Sequence, residues 1–189
     1  MKKNEILTII RTAVILLLVT GITVLLLAVV NHFTEGPIEK RRAEELKASI
    51  YSMFPDTEYS EIESAELSFP ATALYKVTKN GKTVGFLVTA TPMGFGGEVG
   101  LLCGFDPDGT CVGVKVTEHS ETKSKFDAVN SEENLSQYKG KTGSFRFSSE
   151  GGIIDAVSGS TVSSQAILDG VNGAYQTVRS QILRERGNG

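Results

Sequence analysis

Ala73-Leu74-Tyr75-Lys76-Val77-Thr78-Lys79-Asn80-Gly81-Lys82-Thr83-Val84-Gly85-Phe86-Leu87-Val88-Thr89-Ala90 decides the fold class. Residues 73–79 and 82–90 read as two strands joined by Asn80-Gly81. A two-residue type I′ turn needs positive φ at both central positions, and Asn-Gly meets that need. Residues 98–105 and 110–117 form a second such pair. Its connection, Asp106-Pro107-Asp108-Gly109, is a turn signal: Pro fixes φ at the second position and Gly accepts the left-handed one.

The second hairpin sets an expected register for the two cysteines. With Asp106 facing Thr110, Cys103 faces Gly113 and Cys111 faces Phe105. The thiols then share one face but sit diagonally, near the limit of disulfide reach. That geometry favours small buried apolar residues, and an extracytoplasmic location keeps a disulfide open. No zinc-type or cluster-type Cys/His spacing is present, with only His32 and His119 besides.

Downstream, 122–138 is polar, with helical turns predicted around Phe126 to Val129 and Glu133 to Tyr138. Ser164 to Arg186 reads as a closing helix. Ile167, Val171, Ala174, Val178 and Ile182 lie on one stripe, and Arg179, Arg184 and Arg186 sit towards its C-terminal end. Upstream, Thr12 to Thr34 contains no Asp, Glu, Lys or Arg. A helix of about 20 apolar residues spans a bilayer core. The run is long for a signal peptide, and Asn31-His32-Phe33 is a poor cleavage site, so an uncleaved anchor is the favoured reading.

Pro37 to Phe54 then reads as a new helix, with Pro37 in its first turn and Ala43, Leu46, Ile50 and Met53 on one stripe. Lys2, Lys3 and Arg11 precede the span, and Lys40, Arg41 and Arg42 follow it at a distance. Asn31 to Glu35 carries no basic residue, which places the N-terminus inside and the main domain outside. The expected organisation is a cytoplasmic 1–11, a transmembrane helix 12–33, a helical stalk 34–56 and an extracytoplasmic domain 57–189. The fold class is α/β (α+β), with antiparallel hairpins and a C-terminal helix. At 189 residues the chain holds one ordinary domain plus an appendage. Its net charge of −3 gives no sign of a nucleic-acid partner.

The chemistry concentrates in Asp155-Ala156-Val157-Ser158-Gly159-Ser160-Thr161-Val162-Ser163-Ser164. An apolar stretch runs into small hydroxyl residues around one Gly, and a long helix follows. Gly lets the backbone approach a ligand. The helix start offers N–H groups and the positive end of its dipole, which together suit a phosphate. Composition alone leaves an ordinary helix cap as the commoner reading; Ser163 and Ser164 are each open to either role.

Ser158-Gly159-Ser160-Thr161-Val162-Ser163 resembles the flavinylation motif of the FMN-binding domain family, usually S-G-A-T-x-S/T, with Ser160 where Ala is usual. With the anchor and Gly94-Phe95-Gly96-Gly97, the chain resembles the G subunits (RnfG, RsxG) of Rnf ion-translocating electron transport complexes. These are related to the C subunit of the Na+-translocating NADH:quinone reductase. His119-Ser120-Glu121-Thr122 matches the first half of that family's H-x-E-T-P-G-L-G segment, but Lys123-Ser124-Lys125-Phe126 replaces P-G-L-G. Tyr138-Lys139-Gly140-Lys141 resembles its Q-F-x-G-K stretch.

The resemblance implies FMN bonded covalently to Thr161 as a phosphoester, placed there by a flavin transferase. Ser158, Gly159, Ser160, Ser163 and Ser164 would be its close neighbours, and Glu121 and Thr122 would contact the ring. No catalytic residue and no metal are implied. Lys123 and Lys125 are either solvated charges or face an anionic flavin or a partner subunit, and His119 is exposed or structural. The implied function is an electron relay in a translocase complex that couples ferredoxin:NAD electron transfer to Na+ or H+ transport. Its partners would be iron–sulfur and multi-span membrane subunits. Two alternatives stand beside it: an FMN carrier of another membrane redox system, such as a quinone-linked Na+ pump, and a non-redox tether or assembly subunit.

Overall fold

The structure, a computed structural model, describes the backbone of residues 3–187 and the side chains of 11–29, 31 and 44–187. The charges expected to orient the span (Lys2, Lys3 and Lys40 to Arg42), together with Pro37 and Ala43, lie outside the described side chains. The chain divides into two compact units, Met1–Glu44 and Glu45–Gly189.

In the first unit, helix α1 begins at Lys3, and it ends at Met53 in the second. It runs unbroken where Pro37 predicts a fresh start. A proline removes one N–H donor and bends a helix more readily than it must end one. Arg11–Val29, 19 residues with mean hydropathy 2.8, is long and apolar enough to cross a membrane by length and composition. Its side chains are exposed throughout.

The second unit is built on a five-stranded antiparallel meander in the order β1-β2-β3-β4-β5. The strands are β1 (Glu58–Glu61), β2 (Ala71–Lys79), β3 (Lys82–Ala90), β4 (Val99–Phe105) and β5 (Cys111–His119). Both predicted turns form. Asn80 and Gly81 take φ of 51° and 75°, and Lys79 pairs with Lys82. At the other turn, Gly109 takes φ of 85°, while Asp106 Oδ1 accepts from the N–H groups of Asp108 and Thr110 at 3.0 and 2.8 Å.

The cysteine register is half as expected. Cys111 faces Phe105, but a register shift between Gly104 and Phe105 sets Cys103 opposite Val114 instead of Gly113. A bulge inserts one residue and moves every later pair. Both cysteines are buried, unbridged and in the same core cluster. Burial pushes the Cys103 thiol up, with Cys111 adding to the effect, and pushes Cys111 up to about 12.

Both faces of the sheet are covered, so every residue of β4 is buried. One face carries Leu74, Phe86, Val88, Leu101 and Phe105 against Ile167, Val171, Ala174 and Val178 of helix α4 (Thr161–Gly187). The other carries Val77, Leu87 and Leu102 against Ile50, Met53 and Phe54. Glycines make room there: a Cβ at Gly85 would stand 2.6 Å from the Phe54 ring. Each large side chain buried this way contributes about 1.5–3 kcal/mol. Between β5 and α4 the chain forms two short helices, α2 (Lys123–Phe126) and α3 (Glu132–Ser136), then a single 3-10 turn.

Candidate functional site

Helix α4 starts at Thr161, three residues earlier than its apolar stripe predicts. The segment before it folds into a tight turn. Ser160 N–H donates to Val157 O at 3.0 Å, with Gly159 between them at φ of 76°. A positive φ at the third residue is the demand of a type II turn, and glycine meets it without strain. Ser164 Oγ accepts from Val157 N–H at 3.1 Å, so its hydroxyl braces the turn from inside the helix instead of capping it. Ser164 N–H reaches back to Ser160 O at 2.9 Å, closing the first helical turn. The N–H groups of the first helical residues have no intrahelical acceptor.

A cavity of about 280 Å³ opens at this helix start. Gly159, Ser160, Thr161, Val162 and Ser163 form one wall; Glu121, Thr122, Lys125 and Phe95 form the others. The structure thus gathers six of the eight residues singled out in the sequence. Ser158 is exposed beside the cavity and Ser164 is buried behind it, and neither lines it. Ligand pockets commonly enclose about 300–1,000 Å³, so a cofactor here would keep part of its surface in solvent.

Two hydrogen bonds tie the walls together. Ser160 Oγ donates to Lys125 O at 2.9 Å, which fixes α2 to the residue before Thr161. Glu121, largely buried, accepts from Phe95 N–H at 2.6 Å. Around it, Gly94 N–H donates to Gly97 O at 2.8 Å. Here the glycines are needed for close approach. A Cβ at Gly94 would collide with Glu121 Oε1, and one at Gly96 would stand 2.7 Å from Ser120 O. The loop therefore lies flat on 120–121 and presents the Phe95 ring, 72% exposed, at the cavity mouth. Lys125 Nζ stands 5.9 Å from that ring's centroid.

Behind the wall, Phe126 is buried with the His119 ring 4.4 Å away, centroid to centroid. Thr122 sits at the N-cap of α2 without a side-chain capping bond. Phe95 and Val162, two exposed apolar residues on the rim, carry no sequence signal apart from the glycines and hydroxyls around them. Among the described residues no group of three or more His, Cys, Asp or Glu is placed to hold a metal.

Chemically, the arrangement is a hydroxyl at a helix start, with N–H groups beside it and an aromatic face across a shallow cavity. It fits a phosphate joined to a flat ring: the helix start suits the phosphate, and the flat glycine loop lets a ring approach.

Comparison with known proteins agrees. A family model described as the FMN-binding domain matches residues 94–176, a range that includes every cavity-lining residue. A second, described as the RnfG N-terminal region, matches residues 1–53. The G subunit of the ion-translocating oxidoreductase complex of Salmonella typhi is 30% identical over 174 residues, covering 82% of each chain. This chain belongs to the family of G subunits of ion-translocating oxidoreductase complexes. The G subunit of Methanosarcina acetivorans is 27% identical over 178 residues, 90% of this chain and 95% of that one. In Acetobacterium woodii, the G subunit of the Na+-translocating ferredoxin:NAD+ oxidoreductase complex is 28% identical over 195 residues, 90% and 91% of the two chains.

Membership in this family makes the chain an electron-transport subunit with an FMN-binding domain, working among the other subunits of an ion-translocating oxidoreductase complex. Such a complex acts at a membrane, and Arg11–Val29 supplies a helix able to attach the protein to one.

Proposed function

We propose that this subunit carries FMN as a phosphoester on Thr161 and relays electrons within a complex that couples ferredoxin:NAD electron transfer to Na+ or H+ translocation. The observation that carries the reading is the position of Thr161: exposed, first in α4, and on the wall of the cavity that the FMN-binding domain match encloses.

Attachment would form a bond from Thr161 Oγ1 to the phosphorus of the FMN half of FAD. The bond from that phosphorus to the AMP half breaks, AMP leaves, and the hydroxyl proton passes to the transferase or to water. The exposure of Thr161 supports this, because the transferase must reach the hydroxyl.

Bound there, FMN supplies one- and two-electron redox chemistry. The chain supplies position. N–H groups at residues 161–163 and the helix dipole favour the phosphate. Gly159 and Ser160 shape the approach to it, Ser158 borders it and Ser163 floors it, while Ser164 braces the turn behind. Glu121 and Thr122 face the ring together with the Gly94–Gly97 loop. No side chain is required as acid, base or nucleophile in the relay itself.

The proposed topology is a cytoplasmic 1–11, a span over 12–33, a stalk over 34–56 and an extracytoplasmic 57–189. A covalent link suits that side of the membrane, where a lost cofactor is not recovered. The proposed partners are iron–sulfur and multi-span membrane subunits, with a flavin transferase for maturation.

In-gel flavin fluorescence of the denatured full chain, made alongside an active transferase, tests the reading. Wild type is expected to fluoresce and Thr161→Ala to be dark. A dark wild type would sink the covalent attachment and leave residues 158–164 as a helix cap with no flavin bonded to it.

A further inference from the structure

We infer that Lys125 sets the reduction potential of the flavin held at Thr161, raising it by placing an ammonium group at the cavity mouth. The inference rests on the proposed attachment and concerns a segment in which this chain departs from the pattern it resembles. Where H-x-E-T-P-G-L-G has leucine, this chain has Lys125.

Three observations support it. First, the backbone of Lys125 is fastened to the attachment motif through Ser160 Oγ, one residue before Thr161. The point from which the Lys125 side chain extends therefore keeps its position relative to Thr161. Second, its side chain reaches across the mouth to the opposite wall, with Nζ 5.9 Å from the Phe95 centroid. Third, Phe95 is an exposed aromatic ring whose own N–H is anchored on Glu121 at 2.6 Å. A ring held in solvent beside a cavity offers a face for stacking. A flavin stacked there lies beside the ammonium group.

The charge balance gives the direction. An oxidised flavin that takes up two electrons and one proton gains one negative charge. A nearby fixed cation stabilises that charged form by Coulomb attraction, and the potential rises. Glu121 faces the same cavity with the opposite charge. The test is therefore the difference between variants, not the absolute potential. Lys123 lies on the same short helix but does not line the cavity, so it controls for the general field.

The experiment is a reductive titration of the full-length flavinylated chain in detergent at low ionic strength. It compares wild type, Lys125→Gln, Lys125→Arg and Lys123→Gln. Lys125→Gln is expected to shift the midpoint negative, changing the oxidised-to-reduced ratio at fixed potential about three- to tenfold; about 30 mV corresponds to a factor of ten in a two-electron couple. Lys125→Arg should restore the wild-type value, Lys123→Gln should move it much less, and high salt should shrink the Lys125→Gln shift.

In-gel fluorescence of the same samples separates the two failures. Fluorescent protein with an unchanged midpoint in Lys125→Gln, or a shift equal to that of Lys123→Gln, overturns the role of Lys125 and leaves the attachment standing. A dark wild type overturns both.

Discussion

The first turn of α4 and the turns that follow it are made of similar small residues, yet they do opposite work. Thr161 and Val162 are exposed, and Ser163 lines the cavity. From Ala166 onward, Ala166, Gly170, Gly173, Ala174 and Thr177 are interleaved with Ile167, Val171 and Val178, and all of these are buried. At the start of the helix, smallness leaves open volume. Further along, it removes volume so that the helix can lie close to its neighbours. A Cβ at Gly173 would stand 2.6 Å from Pro70 Cδ and 2.7 Å from Phe69 O. At Gly159 the space is open, and only its φ of 76° demands glycine. One helix thus separates a ligand end from a packing end, and damage to one end should not pass to the other.

Gly173→Ala gives the largest expected effect on stability. Overpacking costs about 1–3 kcal/mol, and a carbonyl oxygen cannot rotate away as a side chain can. Contacts this close with backbone and a proline ring put Gly173 at the upper end of that range, and alanine recovers about 1 kcal/mol of helix propensity over glycine, so a net loss of about 2 kcal/mol is expected. A urea midpoint read on protein made without the transferase would show it, with flavin attachment undiminished when the transferase is present. Thr161→Ala, measured the same way, should stay within about 0.5 kcal/mol of wild type, as exposed substitutions usually do. If Thr161→Ala destabilised as much as Gly173→Ala, the two ends would not be separate.

Gly159→Ala should fall between them. A left-handed conformation costs a residue with a Cβ about 1–2 kcal/mol, and there is no clash to add. Gly159→Asn should recover much of that loss, since asparagine tolerates the conformation. Equal losses for Ala and Asn would mean that space, and not backbone angle, fixes the residue.

The same distinction explains what could be read from the sequence. Asn80-Gly81 and Asp106 to Gly109 were legible because their backbone angles are local demands that few residues meet. Thr161 stands out through the resemblance of Ser158 to Ser163 to a family motif; the hydroxyl-rich turn by itself reads more commonly as a helix cap. β1 (Glu58–Glu61) was not legible: all four residues are exposed, and the strand exists through its ladder with β2. The one-residue shift at Gly104 and Phe105 belongs to the pairing of two strands and has no signature in either. For Lys125 the sequence leaves open a solvated charge or one that faces an anionic flavin or a partner subunit, and does not separate it from Lys123. The place of Lys125 at the cavity depends on a bond between residues 35 apart in sequence.

The smallest expected effect lies at the far end of α4, where Lys76 Nζ meets Glu185 Oε1 at 2.9 Å. The pair joins the helix to β2, and both side chains are about a third exposed. Partial burial raises the Glu185 carboxyl, but hydrogen bonds from Lys76 and Gln181 outweigh it and leave the group below its ordinary value of 4.5. A carboxyl depressed on folding binds its proton more tightly in the unfolded chain. Its stabilisation is therefore present above about pH 4.5 and is lost as pH falls through the lower folded value. Screening by solvent keeps it within about 0.2–1 kcal/mol. Glu185→Gln should flatten the acid limb of the stability profile by no more than that, and Thr161→Ala should leave the limb unchanged. An acid limb that moved with Thr161→Ala would show the two ends of α4 to be electrostatically linked along its length, and would break the division of labour that the buried turns between them imply.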